Sequence, residues 1–485
     1  MALRVFLIAL AGIWAAIVFF WPVGFWYTGD EYAFLALSHA INLEATLREG
    51  TRFANAGLGN HPGVPMYLLS WLCLHVSALG SGQRDLIGWA LANPEPFYLV
   101  TRVAAGLVVM ASVCFAYSVL APLAPWKRVL AISTFFAADP WSLFYGLTSL
   151  GNETFALALV ALLFWLVKKY QDRATFWMLA GAVAAAAYLV KLPYLSIAVG
   201  VGAMALFCPP HQWSSMIKRG AISGAAFVLL VSITLLIVAG WSESLGLLTS
   251  HLTFFTRPST GFRNPYSEIS WPMFLSAVAA AGAIFHQMVT PRSRSVWNLV
   301  ALCAFTAATL ALLSHFGSRY TLIVSAFFPF IWRGPLEKRW AAFVCLAVTG
   351  LSAIMTLMMA RSDLSESLTT ADAMRSDEAI IAQLPLKPGE AILWTYAIQD
   401  EKFAKEFVLQ MGGVQKYARA KLAPSNEFSS YQIVDRPYRY VILEKARHPQ
   451  ITSFQEPNGL PVRLDSAISI TPLQRTIVVE IATNP

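Results

Sequence analysis

The sequence predicts an all-α polytopic membrane bundle of about eleven spanning helices, followed by a small C-terminal soluble α/β domain. Three observations lead there. Of 485 residues, 57% are hydrophobic and only 13% charged, whereas an ordinary soluble domain carries about a quarter charged residues. Apolar runs near the ~20 residues that a helix needs to cross the hydrocarbon layer recur through the first 360 residues, separated by short turns carrying Lys, Arg and Pro. From about Arg361 onward the composition turns soluble. Helices are required in the first part because an open sheet leaves backbone groups unsatisfied in lipid.

The first run, 5–21, follows a single Arg4 and ends in Trp21, Phe25, Trp26 and Tyr27 with no small-residue cleavage site, which reads as an uncleaved anchor with its aromatics at the outer interface. Spans are expected near 4–22, 97–120, 128–145, 153–168, 175–190, 193–208, 219–240, 271–289, 297–314, 320–333 and 340–359. With a cytoplasmic N-terminus, this parity puts twelve cations inside: Lys127, Arg128, Lys168, Lys169, Arg173, Lys218, Arg219, Arg292, Arg294, Arg333, Lys338 and Arg339. The opposite turns after the second span hold Lys191, Arg257, Arg263 and Arg319. A bias of that size fixes orientation. The net charge of +8 is thereby a topology signal, and no nucleic-acid partner is expected.

Segment 64–79 is apolar enough to pass for a twelfth span, but counting it would turn the cation-rich turns outward. It is expected instead to lie in or dip into the outer interface, broken at its start by Pro62 and Pro65. The first outer loop then covers 23–96, and a long ordered loop between spans is usually functional. Within it, 31–47 places Phe34, Leu35, Leu37, Ile41 and Leu43 on one helical stripe, with His39, Asn42, Glu44 and Arg48 largely elsewhere. That pattern predicts an interfacial amphipathic helix. A second outer loop, 241–270, rich in Phe, Arg, Pro and Gly, covers the same face.

The expected domains are therefore a membrane domain, 1–360, and an extracytoplasmic α/β domain, 361–485. The latter shows helix-like stretches at 371–384 and 401–418 and strand-like runs at 391–398, 438–443 and 476–481. The five cysteines, Cys73, Cys114, Cys208, Cys303 and Cys345, all sit in apolar segments without CxxC spacing, so neither a disulfide framework nor a thiolate metal site is expected.

Candidate chemistry gathers on the outer side. Asp30 and Glu31 stand where the first helix emerges, and two acids beside hydrocarbon are costly unless solvated, paired or used. Read blandly, Asp30 caps the next helix; read functionally, it is a general base or a metal ligand. His61, in Asn60-His61-Pro62-Gly63-Val64-Pro65, opens the dipping segment and is either a polar interface residue or a phosphate or metal contact. Glu153, in Asn152-Glu153-Thr154, opens the fourth span as a cap or a ligand. Arg102, Lys191, Arg257, Arg263 and Arg319 are outer cations placed against the charge rule. Each can anchor at the interface, and together they can bind a phosphate through charge-assisted hydrogen bonds.

In this order the acidic pair after the first helix, the loop carrying Asn-His-Pro-Gly-Val-Pro-Met-Tyr, Arg102, Asn152-Glu153 and Lys191-Leu-Pro resemble the GT-C class of integral membrane glycosyltransferases. The nearest likeness is to the branch containing aminoarabinose transferase and the protein mannosyltransferases. It covers roughly 1–335 and is strongest over 20–200. The resemblance implies transfer of a sugar from a polyprenyl-phosphate donor to an acceptor lipid, glycan or protein. Transfer would occur at the outer face of a bacterial inner membrane, with inversion. It implies that Asp30, with Glu31 beside it, is the catalytic or acceptor-binding carboxylate. A departing lipid phosphate needs positive charge, which His61, Arg102, Lys191 and Arg319 can supply, with Arg257 and Arg263 on the covering loop. Some relatives hold a divalent metal through acids at the positions of Asn60 and Glu153. Asn60 departs from that pattern, leaving Glu153 with His61 or Asp30 to hold Mg²⁺ or Mn²⁺, or Zn²⁺ if His61 joins.

Two other classes compete. A transporter or flippase needs ionisable groups or broken helices near the midplane and matched repeats, and the spans carry few such groups. An oligosaccharide ligase or polymerase would use outer arginines and histidine without an essential acid.

Overall fold

Helices follow the apolar runs. The computed structural model of the chain describes residues 1–20, 32–49, 63–79, 81–82, 84–92, 94–121, 123–139, 152–170, 175–191, 194–207, 212–256, 270–289, 296–314, 321–381 and 383–385. In the C-terminal region it describes 391–394, 428–430, 438–444, 453–455, 461–463, 467–474 and 476–481. Two compact units form: one from 1–20, 55–70 and 100–361, the other from 21–54, 71–99 and 362–485.

In the first unit, α1 (Ala2–Phe20) packs beside α6 (Pro125–Ala137). It also meets α5 (Pro94–Val119), where the Trp14 indole donates to the Arg102 carbonyl at 3.4 Å. Gly106 makes room for that ring, because a Cβ there would lie 2.7 Å from Trp14 Cε2. Pro125 opens α6 at its first turn, where a missing N–H costs nothing. A 3-10 turn, Asn152–Phe155, leads into α7 (Ala156–Tyr170).

Then come α8 (Thr175–Val190), α9 (Leu195–Phe207), α10 (Trp213–Thr256), α11 (Trp271–Val289) and α12 (Val296–Ser314). Helix α8 lies against α10 and α9 against α12 through small residues. A Cβ on Gly181 would stand 2.8 Å from the carbonyl carbon of Ser223, and one on Gly200 would stand 2.9 Å from Ala304 Cβ. Close backbone approach of this kind drives helix association where lipid removes the hydrophobic force.

The span expected at 320–333 is instead two short helices, α13 (Thr321–Ser325) and α14 (Phe328–Ile331), followed by a 3-10 turn, Pro335–Glu337. Pro329 has no N–H to return to Ser325, so one helix cannot run through. The carbonyls left open where α14 ends find partners: Gln287 Nε2 donates to Ile331 O at 3.0 Å and Trp297 Nε1 to Phe330 O at 2.9 Å. Residues 322–332 are buried throughout, and Phe330 stacks on Phe164 with centroids 4.8 Å apart.

Among the described residues, three helices have membrane-crossing length and hydropathy: Pro96–Val119, Trp213–Ile237 and Arg339–Met359. Shorter apolar helices are Ala2–Ala16, Val64–Ser77, Thr175–Val190, Trp297–Thr309 and Leu322–Ile331. Helix α10 continues past its span to Thr256, so the expected second outer loop begins as helix. Helix α15 (Arg339–Ile381) likewise absorbs most of the separate helix expected at 371–384. Its 43 residues extend about 65 Å. Within the apolar region Ser352 meets Ser276 at 3.2 Å, and Thr356 donates to Ala137 O at 2.9 Å. These contacts tie α15 to α11 and α6.

The second unit contains α2 (Tyr32–Glu49), the later half of α3 (Val64–Ser77) and α4 (Leu86–Ala92). Gly63, at φ 57, turns the chain into α3, a conformation that glycine adopts without strain. Asp85 caps α4 by accepting from Gly88 N at 3.2 Å. The expected two-faced character of α2 needs correction: Ala36, Leu37, Ala40, Ile41 and Ala45 are buried, but so are His39, Asn42 and Glu44. The polar side is covered by protein rather than water, because Glu44 is clamped by its neighbours. It accepts from Trp71 Nε1 at 2.8 Å, bonds His75 Nε2 at 2.9 Å and pairs with Arg48. Arg48 in turn donates to Arg84 O at 2.6 Å.

The C-terminal region forms a five-stranded mixed sheet in the order β2-β1-β3-β7-β6. Its strands are β1 (Ala391–Trp394), β2 (Phe428–Ser430), β3 (Tyr438–Glu444), β6 (Ala467–Pro472) and β7 (Thr476–Ile481); β4 (Ser453–Gln455) and β5 (Pro461–Arg463) pair separately. β1 runs parallel to β2 and β3, whereas β7 is antiparallel to β3 and β6. The strands expected at 438–443 and 476–481 correspond to β3 and β7, and of that expected at 391–398 the first half is β1 while 395–398 lie outside the described residues. Arg439 donates to Glu480 at 2.6 Å and Ser469 does so at 3.0 Å, holding that carboxyl below the usual range. Asp377 of α15 is fully buried and accepts from Gln474 N, Thr476 N and Thr476 Oγ1, each at 2.9 Å. The helix is thus stapled to the β6–β7 turn. The expected helix at 401–418 lies outside the described residues.

Candidate functional site

Two of the outer cations fall on described residues, and both are buried. Arg102 lies in the third turn of α5, 6% exposed, beside buried Thr101. Lys191 is 2% exposed and follows α8 directly. Its N–H closes the last helical turn on Ala187 O at 3.1 Å, and its carbonyl accepts from Tyr194 N at 2.9 Å, so the chain turns at this lysine. Burying an ammonium or guanidinium is expensive unless it is paired. Neither residue is without a partner in the bundle. Both cations belong to the first unit.

Asp30, Glu31, His61, Arg257, Arg263 and Arg319 lie outside the described residues, as does Asn60. Glu153 lies on the 3-10 turn Asn152–Phe155, one residue before buried Thr154; its side chain is likewise outside the described residues. Among the described residues, no group of three His, Cys, Asp or Glu side chains could hold a metal ion.

The structure adds an acid not singled out from the sequence. Asp139 is fully buried just beyond the end of α6, at the end expected to face outward. Ser270 Oγ donates to Asp139 Oδ2 at 3.1 Å and accepts from Met273 N at 3.3 Å. One hydroxyl thus caps α11 and orients the carboxylate. The signal was available: an acid at the outer end of an apolar run is what marked Asp30 and Glu153. Its placement inside segment 128–145, treated as one span, concealed it.

No protein-family model matches this chain. No curated protein matches it by sequence. Among solved structures, it is similar to the crystal structure of ArnT from Cupriavidus metallidurans bound to undecaprenyl phosphate, with a TM-score of 0.56 and 11% identity over 98% of this chain and 97% of that one. The same protein in its apo state aligns with a TM-score of 0.49 at 13% identity over 97% of each chain. With the first of these structures, the chain shares end to end the fold of ArnT, an aminoarabinose transferase of the GT-C class.

Proposed function

We propose that this chain is an inverting glycosyltransferase that moves a sugar from a polyprenyl-phosphate donor to an acceptor hydroxyl at the outer face of a bacterial inner membrane. The observation that carries the reading is the whole-length likeness of fold to a protein crystallised with undecaprenyl phosphate. Buried Arg102 and Lys191 add to it, because both are cations kept in a bundle at the ends expected to face outward. The outer placement of the C-terminal domain is supported by its union in one compact unit with 21–54 and 71–99, parts of the first outer loop. The eleven spans and the division into a membrane domain, 1–360, and an extracytoplasmic domain, 361–485, belong to the same reading.

In the proposed step the acceptor oxygen attacks the anomeric carbon from the face opposite the phosphate. The bond from that carbon to the phosphate oxygen breaks, and the electron pair leaves with the polyprenyl phosphate. Asp30 takes the acceptor proton, with Glu31 beside it, while His61, Arg102, Lys191 and Arg319 stabilise the departing phosphate. Asp139, held by Ser270, is a further carboxylate suited to orient a sugar hydroxyl or one of these cations. Arg257 and Arg263 belong to the covering loop. If a divalent cation takes part, Glu153 with Asp30 or His61 would be its ligands, and loss of activity with a chelator, restored by Mg²⁺, Mn²⁺ or Zn²⁺, tests that point.

The test is release of bare lipid phosphate from a panel of polyprenyl-phosphate sugars by purified wild-type and Asp30→Asn protein. The reading expects release by the wild type and loss of about 10²–10⁴-fold in the variant, the usual contribution of a general base. Undiminished release by a folded Asp30→Asn protein would favour a ligase without an essential acid. Wild-type inactivity on every donor would remove the transferase reading.

A further inference from the structure

The end of the bundle opposite the proposed site carries cations arranged more tightly than a topology signal requires. Arg128 at the start of α6, Lys168 near the end of α7 and Arg333 after α14 come from three separate elements; the first two both hold the end of α5 and the turn after it, while the Trp297 ring under Arg333 packs on Phe164, one helical turn before Lys168. Each is fixed in place. Arg128 Nε donates to Leu123 O at 2.6 Å, with its guanidinium 5.0 Å from the Tyr117 ring centroid. Lys168 Nζ reaches Val119 O at 3.3 Å and Ser118 O at 3.5 Å. Arg333 lies over the Trp297 ring at 4.1 Å. Lys127 adds a fourth charge alongside, donating to Leu336 O at 2.5 Å.

The charge rule asks only that cations occupy the turns, and flexible side chains in water would spread apart. Here three like charges are each pinned to carbonyls or rings at one end of the bundle, with Arg128 and Arg333 half-buried. The turns on this side contain two acids, Asp172 and Glu337, against twelve cations. Of these acids, Glu337 acts on Arg333. Exposed Trp126 and Trp340 flank the same end, with Trp340 edge-on to His286, which lies 3.3 Å from Lys338 Nζ. Exposed indoles mark headgroup depth. Like charges converging at that depth suit a phosphodiester, since a guanidinium carries five donors and an ammonium three.

We propose that Arg128, Lys168 and Arg333 form a binding site for the phosphate of an anionic phospholipid in the leaflet on that side. Such a lipid is structural rather than a substrate, and basic pockets between spanning helices are suited to it.

The experiment loads full-length protein with mixed phosphatidylglycerol and phosphatidylcholine micelles and counts retained lipids by native mass spectrometry. It is repeated with the Lys168→Gln/Arg333→Gln double variant and with Lys218→Gln, which alters an exposed cation outside the cluster. A parallel arm adds millimolar inorganic phosphate as competitor. The expected result is a preference of about tenfold or more for phosphatidylglycerol in the wild type. That preference should fall severalfold in the double variant, persist in Lys218→Gln and resist free phosphate. Equal retention of the two lipids by the wild type would overturn the site, and this comparison holds even if the double variant fails to fold. Equal loss in Lys218→Gln would overturn it as well, and displacement by inorganic phosphate would assign the cations to a soluble anion.

Discussion

Replacing Gly181 with alanine tests how tightly the membrane unit is built around Lys191. A Cβ at this position would meet the Ser223 backbone, 2.8 Å from its carbonyl carbon and 2.9 Å from its Cα, where ordinary contact begins near 3.4 Å. Ser223 cannot swing aside as a side-chain tip could, because the obstructing atoms are main chain of α10. The Ser223 carbonyl oxygen is nearer still, so the two helices must part by about an ångström, at a typical overpacking cost of about 1–3 kcal/mol. Lys191 directly follows the same helix, ten residues on, so any displacement of α8 reaches it, and the phosphate contact proposed for it would tolerate only about 0.5 Å of misplacement. Gly224→Ala is the control: it adds the same methyl one residue from Ser223, where a Cβ meets nothing within 4 Å. The assay is thermal unfolding of both variants in one detergent, followed by donor turnover. Gly181→Ala should melt lower than Gly224→Ala and turn over more slowly. Equal melting temperatures would refute the close approach of α8 and α10.

The other expectations rest on separate contacts. Asp377→Ala leaves two backbone N–H groups without their acceptor, one of them on buried Thr476. At about 1–3 kcal/mol each, this should sharply speed hydrogen exchange over 473–481, and unchanged protection there would show that the staple does not matter. His39 is buried in α2 and its pKa is pushed down from 6.5 to about 3 by loss of solvent. The unfolded chain therefore binds the extra proton first: stability from this group is intact above pH 6.5 and falls between pH 6.5 and 3, by up to about 1.4 kcal/mol per unit. His39→Gln should flatten that part of the acid-unfolding curve, and an unchanged slope would contradict the assignment. Asp139→Asn keeps the shape at Ser270 but removes the charge, so it should fold normally while slowing donor turnover at least about tenfold; wild-type turnover would exclude Asp139 from the site.

Much of the helical layout was legible because length and hydrophobic period are local properties. The helix expected at 175–190 and the start of α11 at residue 271 coincide with the structure, and segment 64–79 is helical from Val64 to Ser77. What a helix faces is not local. The polar side of α2 resembled a water-facing stripe, yet Glu44 is enclosed by Trp71 and His75, which lie 27 and 31 residues away in sequence. Pro329 announced the break between α13 and α14, but the apolar run concealed it. Three-residue strands such as β2, β4 and β5 carry too little alternation to be read, whereas β3 and β7 are long and apolar enough. Of the candidate site, the sequence marked Lys191 and Arg102, and the structure buries both. It did not single out Asp139, whose hydrogen-bond partner Ser270 lies 131 residues further along the chain.

The central claim is that a polyprenyl phosphate lodges against buried cations of the membrane unit. Saturable binding of polyprenyl phosphate to the purified protein, followed by intrinsic tryptophan fluorescence, tests it directly. The account predicts one site per chain, weakened at least about tenfold by Lys191→Gln, in line with loss of a charge-assisted phosphate contact. Binding that never saturates, or that is indifferent to Lys191→Gln and Arg102→Gln alike, would contradict it.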